Sequence, residues 1–218
     1  MSGPPPRDRN GFKIWQEARR RGISKLYHFT PAGNVRSILL YGLHSRQTLL
    51  AHDVDFYVTD PHRFDERLDG VSLSVHSINE AMFEAKNRDY RGQLVVLELD
   101  ASLLWTHSCR FCWTNAAAKE IRDHRGHLGG PWAFSRMFED RPVSLLDTRP
   151  ARSAFQRPDC QPTDSQAEVQ VLDPVSPDAI IDITAGSRMV KDELEAVMAE
   201  IGVERPVVLY EELFRLGL

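Results

Sequence analysis

The 218-residue chain has no long apolar run. Stretches such as Leu94–Leu97 and Val207–Tyr210 fall far short of the roughly 20 apolar residues that span a bilayer, so no membrane segment is expected. The opening Met1-Ser2-Gly3-Pro4-Pro5-Pro6 has no apolar centre, which argues against a secretory leader. Cysteine is scarce: Cys109, Cys112 and Cys160 are odd in number and make no disulfide framework, so a reducing cytoplasm is the expected setting. An excess of positive charge is missing too. The formal net charge of −4 argues against a protein that coats nucleic acid indiscriminately. No internal repeat is evident, and strands and helices alternate without a βαβ rhythm.

What remains is an ordinary globular composition, 42% hydrophobic and 27% charged. The length suits one domain better than two. Residues 1–10, rich in proline and charge, read as a disordered tail before a single domain over 11–218. Between Arg7 and Lys25 lie seven Lys or Arg residues against two acids, including Arg19-Arg20-Arg21. Such an arm is either a solvated helix face or a phosphate contact, and the first reading is the simpler.

The spacing of Phe12, Trp15 and Ala18 predicts a helix over 12–21. Tyr27–Thr30 is a short strand. Pro31 opens a helix through Leu40 with Val35, Ile38 and Leu39 inward, ended by Gly42. Residues 44–70 are polar and irregular, the kind of long connection that carries function. Strands are expected at Val71–Val75, Leu94–Leu99, Glu168–Leu172, Ile180–Ile183 and Val207–Tyr210. Helices are expected near Asn79–Lys86 and Val190–Ile201, with helical pieces in 114–140 after a cap at Thr114 and a break at Gly129-Gly130-Pro131. Residues 147–165 read as an exposed loop. The class is α+β, with a mostly antiparallel sheet flanked by helices.

Two segments carry the chemistry. Gln166 and Glu168 stand two apart where an alternating Ala-Glu-Val-Gln-Val run begins, so on a strand they share one face. A carboxylate held rigidly beside an amide suits stabilising a developing positive charge. His28 and Thr30 share a strand face in the same way and can hold hydroxyls or an amide. Alone, each pair is equally an exposed polar edge or a satisfied core histidine. Together they look like the two halves of an ADP-ribosyltransferase site. Cleavage of the nicotinamide–ribose bond passes through an oxocarbenium-like sugar that a carboxylate can stabilise. That carboxylate can also take the proton of an acceptor amino group.

The ordered set Leu26-Tyr-His-Phe-Thr, Asn34-Val-Arg-Ser-Ile-Leu, Gly42-Leu43, Arg67-Leu-Asp-Gly-Val-Ser-Leu-Ser-Val, Leu103-Leu-Trp, Cys112-Trp-Thr-Asn-Ala-Ala-Ala-Lys-Glu and Ala167-Glu-Val-Gln-Val resembles the DarT family of DNA ADP-ribosyltransferases, most of all its guanine-modifying branch. The likeness runs from about Lys25 to Thr184. It implies an ADP-ribosyltransferase fold with a split sheet, and transfer of ADP-ribose from NAD to a base in single-stranded DNA. It further implies a toxin, acting as a monomer, whose modification a macrodomain antitoxin (DarG) reverses. It implies that Glu168 is the catalytic glutamate and that His28, Thr30 and Asn34 bind NAD. An arginine before the second strand is expected to hold the phosphates or the acceptor. Arg67 fits that place as a catalytic residue, and Arg63, four residues earlier, stands beside it as a substrate-binding candidate. Gln166 would orient the base through its amide edge. The family often has an aromatic near position 80, where this chain has Glu80 after Asn79.

Two alternatives stay open on residues alone. The acceptor could be RNA or protein, or the chain could be a non-enzymatic nucleic-acid module held by zinc at Cys109-x-x-Cys112. Zinc needs four ligands, and only His107, His124, His127 and Cys160 are at hand, so thiols without a metal are the expectation. Trp105, Phe111 and Trp113 read as core, with base stacking a second use for Trp113.

Overall fold

The computed structural model describes residues 5–59, 64–90, 92–141 and 151–215. Helix α1 (Arg9–Arg21) starts at Asp8, whose carboxylate caps the Gly11 amide, and stops at Gly22 in the left-handed conformation. It therefore begins inside the segment whose proline content reads as tail. Ile14 and Ala18 turn inward, and the helix packs on α5 (Leu103–Thr106) and α7 (Pro131–Arg136).

Strand β1 (Lys25–Pro31) runs through to Pro31, so the proline closes a strand instead of opening a helix. A 3-10 turn over Ala32–Asn34 then leads into α2 (Val35–Tyr41). Gly42 follows at φ +95, where any side chain would meet the Val175 carbonyl, and this close approach lets Leu43 bridge to Val175. Inside the segment expected to be irregular lies α3 (Arg46–Ala51), capped by Ser45. Next come β2 (Val71–Val75), α4 (Glu80–Asp89), β3 (Leu94–Asp100) and β4 (Cys109–Cys112). The α6 turn (Lys119–Arg122) is preceded by Ala118, so Thr114 caps nothing, whereas Pro131 does open α7. A further turn, α8 (Ala151–Ala154), interrupts the expected loop. The chain closes with β5 (Glu168–Val171), β6 (Ile180–Ala185), α9 (Arg188–Ile201), β7 (Val207–Leu209) and α10 (Glu211–Arg215).

The strands form a seven-stranded sheet in the order β4-β5-β2-β1-β3-β6-β7. Its ladders are antiparallel except β6–β7, which is parallel because α9 carries the chain back across. That single βαβ unit departs from the expected absence of one. The main core includes Leu26, Leu73, Val95, Leu97, Phe111, Val169 and Ile183 on one side of the sheet. A smaller cluster of Phe83, Leu94, Val96 and Phe214 covers part of the other.

Candidate active site

The sheet is split at its centre. β1 and β3 pair along their whole length, but β1 and β2 pair only at Leu26–Val75 and Tyr27–Ser74 before they part. The His28 ring crosses the gap: its Nδ1 lies 2.9 Å from the Ser72 carbonyl. A carbonyl only accepts, so Nδ1 carries a proton. Into the fork opens a cavity of about 470 Å³, within the range of small-molecule sites. Its walls include His28, Thr30, Asn34, Gln166 and Glu168, so five residues chosen from two distant segments of the sequence converge.

Glu168 is the first residue of β5, paired with Cys112 across the ladder, and is half-buried. Its Oε1 accepts a hydrogen bond of 2.8 Å from the Ala116 amide. The Ala116 turn is in turn shaped by Asn115, whose side-chain oxygen accepts from the Ala117 amide at 2.8 Å. A carboxylate tied to backbone at one oxygen has a fixed direction, which is what electrostatic preorganisation requires. Gln166 is not on the strand: β5 starts two residues later, because Asp164 accepts from the Gln166 amide and holds a turn there. It still lines the cavity, exposed at the mouth.

Asn34 does something the sequence did not disclose. Its amide nitrogen donates to Thr30 Oγ1 at 3.0 Å and to the Tyr57 carbonyl at 2.9 Å, and its oxygen accepts from the Tyr57 amide at 2.8 Å. Both N–H donors are spent within the protein. Asn34 therefore clips the long 44–70 connection to the floor of the cavity and presents Tyr57 at its edge.

Arg67 lies between two wall residues, Asp65 and Gly70, but its guanidinium is not in the wall. It forms a two-pronged pair with Asp69, at 3.1 and 3.0 Å. Arg63 lies outside the described residues. Among the described residues, the cavity is lined by Arg46 on α3 and Lys86 on α4, together with His44 and His52. The Ser45 cap and helical turn that place Arg46 were hidden in a segment whose composition reads as loop. The Arg67 segment is anchored from below. Gln170, wholly buried on β5, accepts from Arg110 at 2.6 Å and donates to Asp65 at 2.7 Å, and Asp65 accepts from the Arg67 amide at 3.3 Å.

Cys109 and Cys112 stand three apart on β4, so their side chains leave opposite faces of the strand and cannot converge on one ion. Burial pushes both thiols up to about 12, helped at Cys112 by the neighbouring Glu168 carboxylate. In α1, Glu17 pairs with Arg20 and Arg21 at 2.8 and 2.7 Å, and these hydrogen bonds, Arg20 first, hold its carboxyl down at about 2. Arg19 lies over the Trp15 ring. Two of the seven cations of the basic arm thus share one carboxylate within their own helix. Arg152 likewise holds its own loop, donating to the Gln161 and Pro158 carbonyls and to Thr163. No helix among the described residues is long and apolar enough to cross a membrane.

A sequence model described as DarT, ssDNA thymidine ADP-ribosyltransferase, matches residues 27–215. A comparison with curated proteins found no match. Among solved structures, the fold is similar to Thermus sp. 2.9 DarT in complex with ADP-ribosylated ssDNA, with TM-score 0.57, 14% identity, and coverage of 88% of this chain and 96% of that one. The same protein in complex with NAD+ gives TM-score 0.56 at 14% identity, over 87% of this chain and 96% of that one. Thermosipho africanus DarTG in complex with ADP-ribose gives TM-score 0.57 at 14% identity over 87% of this chain, which spans only 50% of that longer chain. At such identities the likeness is one of fold. The family match, however, runs over nearly the whole chain, and the protein belongs to the DarT family of ssDNA ADP-ribosyltransferases.

Proposed function

We propose that the fork cavity binds NAD with the scissile ribose at Glu168, and that ADP-ribose passes from it to guanine in single-stranded DNA. The observation that carries the reading is the convergence of Glu168, His28 and Thr30 on one cavity, with Glu168 aimed by the Ala116 amide. His28 and Thr30 hold ribose hydroxyls. Arg46 and Lys86, which line the cavity, take the diphosphate. Glu168 stabilises positive charge on the ribose as the bond to nicotinamide breaks and the electron pair leaves with the neutral ring. It then receives the proton that the base amino group loses as the new carbon–nitrogen bond forms.

Gln166 supports the base assignment. Its amide can both give and accept at an edge that carries an acceptor and donors, as guanine's does. The family description names thymidine instead, so the base must be measured. The expected biological role is that of a toxin reversed by a macrodomain antitoxin, DarG.

Labelled NAD and single-stranded oligonucleotides differing in one base type, read by mass spectrometry, test the assignment. Adducts on guanine are expected. Adducts confined to thymine overturn the base, and absence of transfer to every oligonucleotide overturns the acceptor.

A further inference from the structure

Away from the cavity, α7 exposes one large aromatic on a rigid mount. Trp132 is 58% exposed. Its ring stacks on His124 at 13° and 5.7 Å, and Trp113 meets both rings edge-on at 5.8 and 5.1 Å. Trp113 is itself fixed: it is buried, its indole N–H donates to Glu120, Arg141 donates to its carbonyl at 2.9 Å, and Arg136 lies against its ring. The free face of Trp132 is thus held in place before any ligand arrives.

The segment that carries His124 has three exposed cations against the exposed acids Glu120 and Asp123. Lys119, Arg122 and Arg125 are exposed and make no ion pair among the described residues, whereas Glu120 is engaged with Trp113 and Arg141. The platform also connects directly to the reacting end of the cavity. Trp113 is three residues before Ala116, whose amide holds Glu168, and three residues of chain reach at most about 11 Å. Asn115 and Ala117, in the same segment, line the cavity.

We propose that Trp132, backed by His124, is a stacking platform for a base flanking the modified one, and that Lys119, Arg122 and Arg125 hold the adjoining phosphates of the single strand. The inference rests on a single-stranded nucleic-acid acceptor, as proposed above. An exposed aromatic stacked on His124, in a segment that carries Lys119, Arg122 and Arg125, fits a stacked base beside a phosphate chain. A duplex would offer no open base face.

Steady-state transfer to a single-stranded oligonucleotide tests it in the full chain. Trp132→Ala is expected to raise the KM for oligonucleotide about 5- to 150-fold, the equivalent of one stacked base, and to leave the KM for NAD unchanged. Trp132→Tyr should recover most of the loss, since a ring suffices. In Lys119→Gln/Arg122→Gln/Arg125→Gln, the slope of log affinity against log salt should flatten by about 2, the value for three phosphate contacts to a single strand. Normal oligonucleotide KM in Trp132→Ala, with the wild type active, overturns the platform while sparing the functional reading. No transfer by the wild type overturns the reading itself. A loss in Trp132→Ala that Trp132→Tyr does not relieve, or a raised KM for NAD, assigns Trp132 a structural role and overturns the platform.

Discussion

At the scale of single residues, the site divides into groups that touch substrate and groups that hold those in place. In the proposed reading Glu168 is the first kind, and its bond to Ala116 makes the choice of variant matter. Glu168→Gln keeps an acceptor for that amide and should lower transfer at least 100-fold with an unchanged melting temperature. Glu168→Ala should lose activity and also about 1 kcal/mol of stability, because the amide loses its partner. Asn34 is the second kind. Asn34→Ala leaves the Tyr57 amide and carbonyl without their partner, so a stability loss of about 1–3 kcal/mol is expected together with a raised KM for NAD, measured by denaturant unfolding and kinetics. His28, Thr30 and Glu168 were legible as polar residues spaced by two in apolar alternation. Asn34's task was not, since its partner is 23 residues away on a segment without pattern. Arg67's pairing with Asp69, two residues on, was likewise not expected from the sequence.

At the scale of elements, the long strands and helices were legible because each buries a regular apolar face. β4 was missed. Cys-Arg-Phe-Cys is too short to show alternation, and its register comes from β5, nearly 60 residues later. The same strand holds both cysteines buried. Both thiols sit near 12, so neither Cys109 nor Cys112 should be alkylated at pH 8 in the folded protein, and both should be after unfolding. Gln170 is where β5 supports the site: Gln170→Leu severs the tie between Arg110 and Asp65 and should lower both melting temperature and transfer, with wild-type secondary structure by circular dichroism. In α1, Glu17 has a folded value near 2, below its ordinary value of 4.5. A depressed carboxyl stabilises above its unfolded value and loses that contribution as pH falls. Glu17→Gln should therefore cost up to about 1 kcal/mol at pH 7, with the difference closing between pH 4.5 and 2.

For the whole molecule, the fork in the sheet is the feature that joins fold to function. A seven-stranded sheet that parts between β1 and β2 brings His28 and Thr30 from one side and Glu168 from the other to a single cavity. The sequence contained both halves, and the likeness to a known family supplied the expectation that they meet; the parting of the strands is a tertiary property that no local pattern encodes. An acidic molecule with a local cationic platform should select unpaired DNA, because reaching a base edge in a duplex requires opening it at a cost of a few kcal/mol. The most direct test of the central claim is single-turnover transfer from labelled NAD to a single-stranded oligonucleotide by Glu168→Gln, alongside NAD binding by the same variant. The account predicts a transfer rate at least 100-fold below wild type with NAD affinity within a few-fold. Transfer within threefold of wild type would contradict it.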